Sequence, residues 1–494
     1  MSLGRRMVAG SLWCVLDGWA SELANLAIFL LMVRLLGPEE FGLVALAAVF
    51  TVVATDLFGY SLTQVLVQRR DLSPGLCDTV FLLVLGLAGG AAVVFFVTAP
   101  LVAALFQAPA LVELLRWLSL TVVLHGLAAV PLALLTRELR FDVIAKRSLA
   151  MIAAGGAVGI AMAVAGYGAL ALVGQSLAQA IVSFAILYRA TAWRPGRGAS
   201  ASHLAAIRAY AASVVGNRIV ALADERAPPL IIGLVLGAAA VGIYSVAIRL
   251  IDILTRMFVV PFNQVAFPGI ARIQEDPSQV QGILASGIAI TSLIACPAFL
   301  GTAVIAPELV PLALGAIWLP AVPVLQILCI RGLVWPVVLY GTSLLYGIGR
   351  PGRMLALNGV DLVVGTLVLV LAATHGLVAV AIASSLRAVL LRWPLIGSAI
   401  ASFTGLAFAR QCTLLAPALA AAGLMTGALL IGREILAPTL DSATLLLATV
   451  ASGVTLYPLL VLLVNPRLIG VLLRVGGRLR RLRRERRRPQ TAEA

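Results

Sequence analysis

Leu36-Gly37-Pro38-Glu39-Glu40-Phe41-Gly42-Leu43-Val44-Ala45-Leu46-Ala47 returns without a gap, 200 positions later, as Leu236-Gly237-Ala238-Ala239-Ala240-Val241-Gly242-Ile243-Tyr244-Ser245-Val246-Ala247. Both copies read Leu-Gly-x-x-x-apolar-Gly and close on Ala, and each joins two long apolar runs. The first glycine, Gly37 or Gly237, is expected to leave one helix at positive φ. The second, Gly42 or Gly242, lets the next helix start close by. A phrase kept in register over a whole turn-and-helix unit predicts a duplicated helical bundle, an architecture of secondary transporters.

The rest of the chain fits that frame. Hydrophobic residues make up 61% and charged residues 12%, with mean hydropathy +1.06. A soluble domain carries about twice that charged fraction, so this is an all-α integral membrane protein. Continuous, non-alternating runs favour helical spans over a barrel. At roughly 20 residues per span, about fourteen segments emerge, near 10–33, 41–64, 79–105, 111–135, 146–165, 169–190, 209–235, 241–265, 281–306, 321–346, 354–373, 376–391, 412–432 and 442–464. Arg5-Arg6 before an apolar run resembles a signal peptide, but the run is long and holds Asp17 and Glu22, so it reads as an uncleaved first helix.

The polar stretch from Trp193 to His203, rich in Gly, Ser and Arg, predicts a flexible cytoplasmic linker between spans six and seven. The duplicated unit is therefore six helices. This divides the chain into a first lobe (1–190), a linker (191–208), a second lobe (209–392), two appended helices (393–465) and a basic tail (466–494). Same-sense lobes imply a pseudo-twofold axis along the membrane normal.

Net charge is +15, with 36 Lys and Arg. With an inside N-terminus, only Arg34, Arg116 and Arg433 fall on the outer side, and every other basic residue outside the spans is cytoplasmic. Both termini are thus expected in the cytoplasm. In the tail, Val471, Leu472, Leu473, Val475, Leu479 and Leu482 interleave with arginines. That pattern suits a helix on anionic lipid better than a nucleic-acid arm.

Catalytic chemistry finds little to stand on. The five cysteines (Cys14, Cys77, Cys296, Cys329, Cys412) show no metal spacing, and His125, His203 and His375 are scattered. No cofactor site can be assembled. Instead, ionisable residues crowd the spans, where each costs at least ~2.5 kcal/mol unless it meets a partner or a wet cavity. The first lobe holds acids: Asp17, Glu22 and Asp56. The second holds six deep arginines (Arg218, Arg226, Arg249, Arg256, Arg331, Arg387) together with Asp224, Glu225, Asp252 and Asp361.

Ser245, Arg249, Asp252, Arg256 and Asn263 fall on one face at helical steps. This polar stripe either lines an interior or is a structural network in which the arginines neutralise Asp252. In span seven, Arg218 and Glu225 share a face, as do Asn217 and Asp224, and Pro228-Pro229 is expected to kink or break the helix. Arginine binds phosphate bidentately. An arginine-rich lobe facing an acidic one suits an anionic substrate plus a cation-coupling or gating site.

Arg34-Leu35-Leu36-Gly37-Pro38 with Phe41-Gly42 resembles the signature of Wzx-type oligosaccharide flippases, in the superfamily that also holds MATE exporters and lipid II flippases. Leu134-Leu135-Thr136-Arg137-Glu138-Leu139-Arg140-Phe141 is similar to the loop of the WzxC-like branch, and Ile232-Gly233 with Leu236-Gly237, Gly242, Tyr244 and Ala247 matches at the second hairpin. The resemblance implies two six-helix lobes around a V-shaped cavity in the bacterial inner membrane. It implies alternating-access export of undecaprenyl-pyrophosphate-linked sugars for O-antigen, capsule or exopolysaccharide, with polysaccharide assembly proteins as partners. By position it places substrate arginines at Arg218, Arg249 and Arg256, to which the deep Arg331 and Arg387 add. Coupling to a proton or sodium gradient, or gating, falls on Asp17, Glu22, Asp56, Asp224, Glu225, Asp252 and Asp361. The hairpins and hinge fall on Gly37, Gly42, Gly237, Gly242, Pro228 and Pro229. A MATE-like cation-coupled exporter is the alternative, disfavoured by deep arginines and 6% aromatics. A membrane enzyme of envelope sugar assembly is a third reading, disfavoured by short loops without a clustered acid/base pair.

Overall fold

The computed structural model describes residues 21–69, 72–196 and 198–464. Asp17, Cys14, the Arg5-Arg6 pair and the basic tail lie outside them. Among the described residues the chain forms no strand and, besides one shorter helix over Val260–Arg272, fourteen helical rods. They are α1 (21–35), α2 (Pro38–Gln68), α3 (Pro74–Leu105), α4 (Leu111–Arg137), α5 (Phe141–Val164), α6 (Leu170–Ala190) and α7 (Ala201–Leu236). Then follow α8 (Ala238–Phe258), α9 (Pro277–Ala313), α10 (Ala321–Gly347), α11 (Pro351–Ala373), α12 (Leu377–Thr404), α13 (Phe408–Leu436) and α14 (Ser442–Val464). Twelve are long and apolar enough to cross a membrane. Of the other two, α1 is described only from residue 21, and α7 carries Arg218, Asp224, Glu225 and Arg226 in its centre.

The structure corrects three local expectations. Gly37 caps α2 in extended backbone at φ −87°, and only Gly237 sits at positive φ, +83°. Pro38 at the first helical position fixes a suitable start, so the first hairpin does not need left-handed backbone. Pro228 and Pro229 do not break α7, which is one helix from Ala201 to Leu236; the amide donors they remove are tolerated inside a bundle. The break falls instead at Val259, after which the chain resumes as a helix over Val260–Arg272 with Pro261 in its first turn. Asn263 therefore does not continue the stripe of α8, and it accepts a hydrogen bond from Ser343 Oγ at 3.0 Å.

The chain forms two compact units. The first holds Met1–Ile253, Leu309–Leu328 and Arg350–Leu391; the second holds Leu254–Glu308, Cys329–Gly349 and Arg392–Ala494. In the first, the two copies of the repeat meet each other. A Cβ on Gly42 would lie 2.5 Å from the carbonyl carbon of Ala238 and 2.9 Å from Gly242 N. A Cβ on Gly242 would lie 2.8 Å from the carbonyl carbon of Pro38 and 3.0 Å from Gly42 N. Position 42 meets 238 and 242, and position 242 meets 38 and 42. This is the reciprocity of a local twofold relation, and it explains why both positions lack a side chain.

Arginines fasten the hairpins to their neighbours. Arg34 donates through Nε to Ala313 O at 3.0 Å and through Nη2 to Leu312 O, closing the end of α9. Trp318 Nε1 donates to Val33 O at 2.9 Å, and its ring meets Phe41 edge-on. At the opposite helix ends, Arg137 donates to Leu66 O at 3.0 Å and to Arg69 O, and Arg140 to Ala190 O at 3.0 Å.

The stretch between α6 and α7 is expected to be flexible, yet it is fastened. Asp78, buried at the start of α3, accepts from Gly196 N and Gly198 N, both at 3.0 Å. Thr79 Oγ1 accepts from Ser200 N at 3.1 Å, and the Trp193 ring packs on Phe81. Gly196 and Gly198 are small so that the backbone can reach the carboxylate.

Candidate functional site

The charged residues of α7, α8, α11 and α12 sort into those that hold one another and those that do not. Arg387 bridges two helices: its Nε donates to Asp361 Oδ1 at 2.8 Å and its Nη2 to Asp224. All three side chains are largely buried, Asp361 to 4% exposure. Room for the guanidinium comes from Gly365, one turn after Asp361, where a Cβ would stand 2.6 Å from Arg387 Nη1. Burying a guanidinium is expensive unless geometry and partners are good, and here both carboxylates are within reach. So Arg387, a substrate candidate by sequence, and Asp224 and Asp361, coupling candidates, form one ionic cluster.

Arg218 is likewise held, by Asp56 of α2. Asp56 lies in a π-helical turn, Thr55–Ser61, and Arg387 immediately precedes a second one, Ala388–Arg392. Such turns widen a helix and re-aim side chains, often at functional sites. Arg226 pairs with its neighbour Glu225 at 2.8 Å. Glu22 of α1 is half-buried and has a partner, as does Asp252. Gly37, Gly42, Gly237 and Gly242 form the apposed hairpins, and Pro228 and Pro229 lie one turn after Asp224 and Glu225.

Arg249 stands apart. It is half-buried on α8, the most one-sided of the described helices, and among the described residues makes no hydrogen bond or ion pair. Arg256, on the same helix, is exposed and has a partner.

In the second unit, Arg331 has no carboxylate partner; its Cζ lies 5.5 Å from the centre of the Trp335 ring, and Arg392 approaches the same ring at 5.6 Å. Two guanidinium groups thus approach one indole ring, a cation–π arrangement. Sequence reasoning places Arg392 in a cytoplasmic loop after a span ending at 391. In the structure α12 runs on to Thr404, because the π turn passes Arg392 and Pro394 is tolerated in the first turn of the helix that follows.

Residues 31–323 match the family described as polysaccharide biosynthesis protein. Among curated relatives, the lipopolysaccharide biosynthesis protein WzxC of Escherichia coli (strain K12) is 26% identical over 68% of this chain and 68% of its own. The succinoglycan biosynthesis transport protein ExoT of Rhizobium meliloti (strain 1021) is 26% identical over 66% of each. The teichuronic acid biosynthesis protein TuaB of Bacillus subtilis (strain 168) is 24% identical over 71% and 73%. Among solved structures, the lipid II flippase MurJ in an inward closed conformation superposes with TM-score 0.78 at 13% identity, covering 93% of this chain and 99% of that one. An inward-facing multidrug resistance MATE family transporter gives 0.53 at 16% identity over 78% and 96%. These likenesses show a shared fold.

Proposed function

The chain belongs to the polysaccharide biosynthesis protein family, and on that footing we propose that it translocates polyprenyl-pyrophosphate-linked oligosaccharide units across the bacterial inner membrane by alternating access. The direction is from the cytoplasmic to the outer leaflet, with both termini cytoplasmic. The product feeds O-antigen, capsule or exopolysaccharide assembly, and the assembly proteins are the natural partners. The relatives' names support transport in polysaccharide synthesis.

The observation that carries the reading is Arg249. A guanidinium half-buried on a membrane helix that makes no ion pair among the described residues costs at least ~2.5 kcal/mol at depth. A pyrophosphate entering a wet cavity offsets that cost with bidentate, charge-assisted bonds. Arg331 and Arg392 on Trp335 are assigned the sugar or its acidic groups. The held pairs, Arg218–Asp56 and Arg387–Asp224–Asp361, keep the helices together. A proton or sodium gradient drives the cycle through the intramembrane acids. Among the described residues the deep groups without a charged partner, Arg249 and Arg331, are cations, which disfavours a cationic drug as substrate.

The test is export of polysaccharide together with membrane abundance in Arg249→Lys and Arg249→Ala. Lysine keeps the charge but loses the bidentate fork, so export should fall about tenfold or more in both variants at normal abundance. Wild-type export by Arg249→Ala would overturn the assignment.

A further inference from the structure

The exposed apolar side of α3 and α4 carries a feature that translocation leaves unexplained. A cleft of about 960 Å³ opens between them, lined by Gly89, Ala92, Phe96, Ala110 and Trp117 together with Glu113 and Arg116. Glycine in a membrane helix normally marks close helix approach. At Gly89 it does not, since nothing lies within 4 Å of where a Cβ would stand. The missing side chain keeps a space open.

Arg34 and Arg433, the other two arginines that the sequence assigns to the outer side, are occupied: Arg34 closes the end of α9, and Arg433 pairs with Glu308 at 2.7 Å. Arg116 makes no ion pair and lies over the Phe96 ring, 4.8 Å from its centre. Glu113 is one turn away, a spacing at which opposite charges commonly pair, yet the two stay apart. Glu113 lines both the cleft and an adjoining cavity of about 330 Å³ with Glu39, Glu40 and Tyr167.

Depth orders these groups. α3 has 32 residues, about 48 Å against a hydrocarbon core of about 30 Å. Phe96 and Arg116 therefore lie near one hydrocarbon boundary and Gly89 near the midplane, so the cleft spans one leaflet. Glu113 is about 4.5 Å nearer the surface than Arg116.

We propose that this cleft is a docking site for one zwitterionic aminophospholipid, phosphatidylethanolamine, of the leaflet on the hairpin side. Its phosphate meets Arg116, its ammonium meets Glu113 one step further out, and an acyl chain runs down past Phe96 to Gly89. The order of charge, cation deeper and anion shallower, is the reverse of the headgroup's own and so complements it. An anionic phospholipid would satisfy Arg116 but place no cation at Glu113. A choline headgroup carries the charge but no N–H to donate to a carboxylate.

Trp117 lines the cleft and reports on it. The full-length protein in bilayers is titrated with chain-brominated phosphatidylethanolamine, phosphatidylglycerol or phosphatidylcholine. The Trp117 signal is taken as the difference from Trp117→Phe. Phosphatidylethanolamine should reach half-quenching at about a fivefold lower mole fraction than either other lipid. Arg116→Gln and Glu113→Gln should each remove that preference. Gly89→Leu, which fills open space and should not disturb folding, should remove quenching itself. Equal quenching by all three lipids would reduce the cleft to ordinary boundary lipid and overturn the proposal. So would a preference for phosphatidylglycerol, or a phosphatidylethanolamine preference that survives Arg116→Gln.

Discussion

Replacing Gly42 with alanine puts the hairpin crossing to the test. The new Cβ would lie 2.5 Å from the Ala238 carbonyl carbon and 2.9 Å from Gly242 N, where ordinary contact begins at 3.4 Å. Both obstacles are backbone, and the Ala238 carbonyl oxygen is nearer still, so no rotamer change relieves them and α2 and α8 must part by clearly more than about 1 Å in a close-packed interior. Overpacking of this kind costs about 1–3 kcal/mol, to be set against at most about 1 kcal/mol of helix propensity gained by replacing glycine. Gly242→Ala meets Pro38 and Gly42 in the same way, so its cost should match. Because one separation of the helices relieves both clashes, the double variant should cost clearly less than the two single costs together. Gly86→Ala, with nothing within 4 Å of its Cβ, is the control and should be neutral or stabilising. Reversible unfolding of the purified protein in mixed micelles, read by tryptophan fluorescence, measures all four. Wild-type stability in both single variants, or strict additivity in the double, would refute the reciprocal contact.

Three further outcomes follow from named contacts. Arg387→Ala leaves two buried carboxylates without the guanidinium between them and should cost about 3–5 kcal/mol, seen as lost membrane abundance; Gly365→Ala, which crowds Arg387 Nη1, should lower abundance in the same direction by less. Asp78→Ala removes the acceptor of the Gly196 and Gly198 amides, at about 2–3 kcal/mol locally, and should expose the segment after Trp193 to protease while Gly86→Ala stays resistant. Asp441 caps α14 through Ala443 N and the Thr444 hydroxyl, and the Thr444 hydrogen bond, first among these, holds its carboxyl below the ordinary 3.8. A depressed folded-state pKa stabilises above the unfolded value and fades as pH falls through the folded one, so amide protection at the start of α14 should persist to below pH 3.8 and lose that pH dependence in Asp441→Asn.

The rods were legible because a bilayer leaves the backbone no alternative to long apolar helices. Each expected span from 41–64 to 442–464 has its helix, and the span near 10–33 has α1 over its described part. Segment ends were not legible where helical hydrogen bonding continues past the apolar run, as it does through Arg392. Partners were less legible still. Asp56 and Arg218 are 162 residues apart and Asp224 and Arg387 163, and no periodicity along one chain pairs such positions. One signal was available: Asp361 is followed a turn later by Gly365, the spacing that seats a guanidinium beside a buried acid. Asp78 gave none, because the glycines that reach it read as a flexible linker until their amides are seen to converge.

Six deep arginines looked alike in sequence because composition counts charge without counting counter-charge. The structure separates them by what each guanidinium already holds. Arg387, Arg218 and Arg226 face carboxylates of the chain itself, so a substrate phosphate could bind there only by displacing an anion of similar strength. Among the described residues Arg249 and Arg331 pair with no carboxylate, so a phosphate arriving at either displaces no anion. The argument turns on competition more than on position. A residue's worth as a phosphate ligand inside a membrane depends on the anions it has already refused, which is why the export assay is aimed at Arg249 and the abundance assay at Arg387.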